Sequence, residues 1–239
     1  MQNITVPVDH LTPLIAHSET SEAPLMLSGG TGIGKSEFVE AYAATSGRLC
    51  CTKIFASMTE ADIALAGPRP GDNFIRFLMN EGIPFVGTED KWLHPTTRKP
   101  PVFFADELSN VVNYMQSVIL QLFGERSFHG IRLIPGTILI AAGNRTMDSQ
   151  LVSKMSAPLQ NRLVHINVDP PTVDGFKSYC IKKGVNEFVP AYIDQTGGER
   201  LYRDYNPEVN LADPGRPTPR IWVRGVSPIL DNSALDDSQ

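Results

Sequence analysis

Short apolar runs alternate along this chain with stretches of helical spacing. Residues 24–28, Pro-Leu-Met-Leu-Ser, form an apolar run that ends at glycines and reads as a buried strand. Residues 36–44 carry apolar positions at helical spacing and stop at Gly47, which predicts a helix. A second strand is expected over 49–55. Thr59 is placed to cap a helix over 59–65, with acidic residues following it. Residues 67–72 are rich in Pro and Gly and read as loop. A short helix is expected over 74–80, and 82–98 reads as irregular or hairpin-like. Residues 101–105 form another buried strand, ending at Asp106 and Glu107, and 111–124 an amphipathic helix. A small hairpin is expected over 127–133. The clearest strand, 137–142, ends at Gly143 and Asn144. Residues 159–163 read as the end of a helix, and the alternation over 164–168 predicts the last core strand.

Strands alternating with helices imply a parallel sheet covered on both faces, an α/β three-layer sandwich. Past Pro170 and Pro171 the pattern changes. Residues 176–183 and 185–196 read as helices, and 200–220 is polar and Pro-rich. The expected division is a core over 1–169, a small helical C-terminal region over 170–230, and a disordered acidic tail over 231–239.

A length of 239 residues suits one sizeable domain with a smaller one attached. The net charge of −5 gives no global reason to expect nucleic acid or an anionic membrane as partner. Cys50, Cys51 and Cys180 lie in no CxxC or Cys/His ligand spacing, so they read as buried or idle thiols. No apolar stretch reaches membrane-spanning length, and residues 1–13 lack a basic segment followed by an apolar one. The expected setting is a cytoplasm, with no membrane partner.

Gly29, Gly30, Thr31, Gly32, Ile33, Gly34, Lys35 and Ser36 match G-x-x-x-x-G-K-[ST] in full. Glycines let the backbone wrap a phosphate and turn successive N–H groups inward. The helix that follows presents its positive end to the same anion. Lys35 would neutralise β/γ charge, and the Ser36 hydroxyl would ligate magnesium. The motif sits between a predicted strand and a predicted helix, the context it requires. ATP with Mg2+ is the expected ligand.

Asp106 and Glu107 follow a strand, and strand ends line the ligand crevice of such sheets. Asp106 would hold the magnesium shell, and Glu107 would orient the attacking water or accept its proton. The competing account is two solvated carboxylates capping a helix that begins near Ser109. An Asp–Glu pair favours a hydrolase over a kinase, which has no use for a built-in water activator. Asn144, at a strand end, would reach the γ-phosphate or the water; the competing account is an ordinary turn residue. Arg162 and Arg220 can both sense phosphate chemically. Spacing alone does not choose between that and a surface salt bridge for the first, or a loop arginine packed on Trp222 for the second. Arg126 and Arg145 are further candidates with weaker cases.

Taken together, the phosphate loop, FFADE, LIAAGN, the Asn161–Arg162 pair before the last strand and the PTPR run ending at Arg220 resemble an AAA+ ATPase. More narrowly the chain resembles the MoxR-like branch, including its small phage and bacterial versions. Residues 58–70 and 123–137 carry that finer likeness, and the resemblance spans roughly 20–225. It implies a P-loop NTPase sheet in the order 5-1-4-3-2 with a small helical lid, and a hexameric ring as homo-oligomer. It implies that Asn144 is the first sensor, Arg162 an arginine finger serving the neighbouring subunit, and Arg220 a second sensor in the lid. Residues 128–133 would belong to a hairpin inserted before the sensor strand. The implied client is a protein, as with family members that serve von Willebrand A-domain partners. Two departures stand out. Asn161 takes a place often acidic in that branch, and so little chain follows Trp222 that the helix behind Arg220 is expected to be truncated.

Two other functions fit a phosphate loop. One is a nucleic-acid motor of helicase, loader or packaging type. The acidic balance and the lack of a basic run with interleaved aromatics speak against it. The other is a slow nucleotide switch, against which Glu107 speaks.

Overall fold

The computed structural model describes residues 4–68, 75–145, 155–203 and 217–236. Its strands are β1 Ile4–Pro7, β2 Leu25–Gly29, β3 Cys50–Ile54, β4 Ala64–Pro68, β5 Ile75–Met79, β6 Val102–Asp106, β7 Ser127–Phe128, β8 Ile131–Arg132, β9 Ile138–Gly143 and β10 Val164–Asp169. Six of them form one sheet in the order β1-β10-β2-β9-β6-β3, every pair parallel. Leaving out β1, the order is the expected 5-1-4-3-2.

The sheet is buried on both faces because its strands are apolar at consecutive positions. Along β6, Val102 and Phe104 point to one face and Phe103 and Ala105 to the other. On the first face they join Leu25, Leu27, Ile140 and Ile166. Helices Thr12–Ser21 and Lys35–Thr45 cover them with Ile15, Val39 and Ala43. On the second face Phe103 meets Met115, Val118, Ile119, Leu122 and Phe123, all from one helix. That helix starts at Met115 and widens into a π turn over Leu120–Glu125, so it begins four residues later than expected. The three-layer sandwich is therefore present.

Residues 74–80 correct the sequence reading. Ile75–Met79 is a strand, paired antiparallel with Ala64–Pro68, where a helix was expected. Five residues are too few for periodicity to separate helix from strand. What decides is pairing: Ala64 lies opposite Met79, and both pack toward the second face. The helix expected over 59–65 shrinks to a single turn, Glu60–Asp62, because β4 takes the residues after it. Thr59 does cap that turn, its N–H and hydroxyl both donating to Asp62, at 2.7 and 2.8 Å. The Pro/Gly stretch at 67–72 begins inside β4; its residues from 69 on lie outside those described.

Two N-terminal elements were not foreseen. Strand β1 adds an edge beside β10, and helix Thr12–Ser21 opens with Pro13 in its first turn. The hairpin over 127–133 is present as β7 and β8, turning through His129 and Gly130 at positive φ.

After β10, helices Val173–Lys183 and Phe188–Gln195 pack with Leu201 around Phe176, Cys180, Val189 and Ile193. Trp222, Val223, Val226 and Leu230 close this cluster. They come from the π turn Trp222–Val226 and the helix Ser227–Asp236, which continue from the short helix Pro219–Ile221. Behind Arg220 the chain continues as helix. It carries helix to Asp236, into the stretch from 231 that was expected to be a disordered tail. Most of the polar 200–220 run lies outside the described residues. Burial pushes the thiol of Cys51 up to about 12 and that of Cys180 to about 11, as idle thiols require. Among the described residues, no helix is long and apolar enough to cross a membrane.

Phe104 is fully buried at the centre of the first face. Phe104→Ala should lower the unfolding free energy by about 3–5 kcal/mol in a urea titration. A loss near zero would contradict the packing described.

Candidate phosphate site

Strand β2 delivers Gly29 to the carboxyl edge of the sheet, and the chain then loops into helix Lys35–Thr45. Gly32 and Gly34 hold left-handed backbone, at φ 81 and 102°, which other residues adopt only at a cost. Gly34 is the N-cap of the helix. Ile33 is buried in the core beneath and anchors the loop from below. Between these fixed points the loop closes around the Lys35 ammonium. Its Nζ donates to the carbonyls of Gly29 at 2.7 Å and Gly30 at 2.9 Å. The cation thus lies inside the turn, at the positive end of an eleven-residue helix.

The neighbouring strands bring the other predicted groups to the same edge. Strand β6 ends at Asp106, and Ser36 Oγ donates to its Oδ2 at 2.6 Å. Asp106 Oδ1 accepts from the Glu107 N–H at 2.8 Å. Neither oxygen caps the turn Leu108–Asn110, so the helix-capping account of Asp106 is set aside. Glu107 is exposed and takes left-handed backbone, φ 56 and ψ 32°. For a non-glycine residue that costs about 1–2 kcal/mol. Strand β9 lies between β2 and β6 and ends just before Asn144, whose Oδ1 accepts from the Thr31 hydroxyl at 3.3 Å. The structure thus brings together Gly29 to Ser36, Asp106, Glu107 and Asn144.

The arginines divide. Arg162 is exposed and precedes the first residue of β10. β10 and β2 run parallel, so Arg162 stands at the far end of the sheet from its own phosphate loop. The separation is the length of β10, about 20 Å. Arg126 is also at that far end. It donates to the Glu22 carbonyl at 3.1 Å and to the Thr137 carbonyl, tying the starts of β2 and β9 together. As a phosphate sensor in its own subunit it is excluded. Arg145 follows Asn144 and is half-buried. Arg220 touches the loop through its backbone, its N–H donating to the Gly32 carbonyl at 3.1 Å, while its side chain is exposed.

Three residues were missed in the sequence. Ser109 Oγ accepts the Asn144 N–H at 3.0 Å and so fixes the strand end. Thr218 caps the helix that starts at Pro219 and packs against Gly32. Tyr202 lies against Gly30. The FFADELSN run gave some signal for Ser109. The other two depend on chain folding back from beyond residue 200, which no local pattern announces.

A glycine loop at a helix N-terminus, a lysine inside it, and a hydroxyl–carboxylate pair beside it make a site for a polyphosphate and a hard cation. The fold is that of a P-loop NTPase, an αβα sandwich with the phosphate loop after the strand at its centre. A candidate ATPase of Cytophaga hutchinsonii has a similar structure, with TM-score 0.53 and 13% identity over 74% of this chain and 51% of that one. A RuvB variant from Thermotoga maritima is similar too, with TM-score 0.50 and 15% identity over 91% of this chain and 59% of that one. The chain therefore spans between half and three-fifths of the length of these two proteins. No protein-family model matches the chain, nor does any curated protein.

A β-carbon on Gly30 would come within 1.7 Å of the Tyr202 hydroxyl. Gly30→Ala should therefore cost about 1–3 kcal/mol and lower Tm by several degrees in a calorimetric scan. Adding Tyr202→Phe, which removes the nearest atom, should recover part of that loss. An unchanged Tm in the single variant would contradict the contact.

Proposed function

We propose that this chain binds ATP and hydrolyses it to ADP and phosphate, as an AAA+-type ATPase of the MoxR-like kind. The observation that carries the reading is the set of contacts converging on the loop: Lys35 within it, Ser36 on Asp106, and Asn144 on Thr31. Those contacts place a cation, two oxygen donors and an amide around one short turn at the carboxyl edge of the sheet.

The roles follow from chemistry. The loop N–H groups and Lys35 take the charge of the β- and γ-phosphates. The Ser36 hydroxyl and Asp106 carboxylate are hard oxygen donors in contact and fit magnesium. When bound, that ion supplies charge neutralisation between the phosphates. Glu107, exposed at the strand end, orients a water and accepts its proton as the water oxygen bonds to the γ-phosphorus. The bond to the bridging oxygen breaks, and ADP leaves. Asn144 holds the γ-phosphate or the water in line. Because the chemistry is mostly positioning, each group acts through geometry.

Arg162 gives the reading its assembly. Held at the far end of the sheet, it serves a neighbouring subunit's nucleotide, so the active form is a homo-oligomer, a ring of six in this proposal. Residues 170–230 act as the lid, and Arg220 senses nucleotide from there. The work done is remodelling of a protein client in the cytoplasm.

Phosphate release by the purified chain tests this. Turnover per subunit should rise with protein concentration. Glu107→Gln should bind ATP yet turn over at least about 100-fold more slowly. Lys35→Ala and Arg162→Ala should each be inactive alone. Mixed, they should recover activity, since the first lends its arginine to the intact loop of the second. Failure to recover, or a monomer working at full rate, would contradict the shared site.

A further inference from the structure

Glu37 follows Ser36 directly on the phosphate helix and has no part in the chemistry above. It sits in the first turn of Lys35–Thr45 and is partly buried. Two cations from the C-terminal helices converge on its carboxylate. Lys183 Nζ, from the last residue of Val173–Lys183, meets Oε1 at 2.7 Å. Arg224, from the π turn Trp222–Val226, reaches Oε2 at 3.5 Å. Tyr179, one helical turn before Lys183, helps to hold the same carboxylate charged. The Lys183 ammonium also stands 5.8 Å from the centre of the Tyr179 ring.

The protonation states agree with this geometry. The hydrogen bond from Lys183 is the largest influence holding Glu37 below its ordinary value, with smaller help from Tyr179 and Arg224. Burial, with Glu37 nearby, pushes Tyr179 up to about 12. At neutral pH the carboxylate is therefore charged and the phenol is neutral.

A bare carboxylate one residue from Ser36 would repel a polyphosphate on the same helix end. Two cations brought by the C-terminal helices cancel that charge. The same helical region also touches the loop itself, through the Arg220 N–H on Gly32 and Thr218 packed against it. We propose that Glu37 is a positioning residue, an ionic latch to Lys183 and Arg224 that docks the C-terminal helices on the phosphate helix and thereby raises nucleotide affinity. The proposal rests on the nucleotide-binding reading of the loop. Docking and binding are then linked: whatever loosens the latch weakens the nucleotide, and bound nucleotide tightens the latch.

The test is an equilibrium titration of the full chain with a fluorescent ADP. It compares wild type with Glu37→Gln, Lys183→Met and the double variant, alongside ATP turnover. Each single change should weaken ADP by about two- to fivefold, the range of a partly exposed ion pair. The double variant should be no weaker than the worse single one, because both remove the same contact. KM for ATP should rise by the same factor as Kd, and the loss should shrink at high salt. Additive effects, unchanged or tighter ADP binding, or a fall in Tm with Kd unmoved would overturn the latch. Wild type that binds no ADP would overturn the reading of the loop and the latch with it. Wild type that binds while the variants bind equally well would overturn the latch alone.

Discussion

The site depends on one constraint: β2, β9 and β6 lie side by side and run the same way. Neighbouring strands stand about 4.8 Å apart. Groups at their carboxyl ends are therefore within reach of one another however far apart they are in sequence. Ser36 reaches Asp106 across 70 residues of chain, and Thr31 reaches Asn144 across 113. Parallel pairing in turn requires burial on both faces, which the runs at 25–29, 102–106 and 138–143 supply. The apolar character of these strands and the polarity of the residues just beyond them are two parts of one arrangement.

Much of this could be read from the sequence because the signals are local. The phosphate loop is a contiguous motif whose residue types are dictated by backbone conformation. Asp106, Glu107 and Asn144 each follow an apolar run, and a strand end in a parallel sheet faces the ligand crevice. The reading failed where local pattern was weak or overruled. Residues 75–79 hold apolar side chains too closely to separate helix from strand, and the partner strand at 64–68 decided the matter. Strand β1 has only four residues, two of them apolar, and exists because β10 offers it an edge. Among the arginines, spacing carried no information. The structure separates them by which end of the sheet each occupies, since Arg126 ties strand starts together while Arg220 adjoins the loop.

The C-terminal helices show a further limit of local reading. Thr218, Tyr202, Lys183 and Arg224 come from segments with their own small core. They nonetheless contact Gly32, Gly30 and Glu37 in the phosphate-loop region. The glycine loop is thus fixed from below by Ile33 in the sheet core and from the side by these helices. On the latch proposed above, docking of the helices and binding at the loop are linked.

The central claim is that backbone N–H groups between Gly29 and Ser36 hold a polyphosphate. Amide NMR of the 15N-labelled chain, titrated first with ADP and then separately with tripolyphosphate, measures this directly. The account predicts that both ligands shift the amides from Gly30 to Ser36 more than any others, with the Lys35 and Ser36 signals moving in common. If tripolyphosphate left those amides in place, or if ADP moved a different region of the chain, the phosphate-binding account would be wrong.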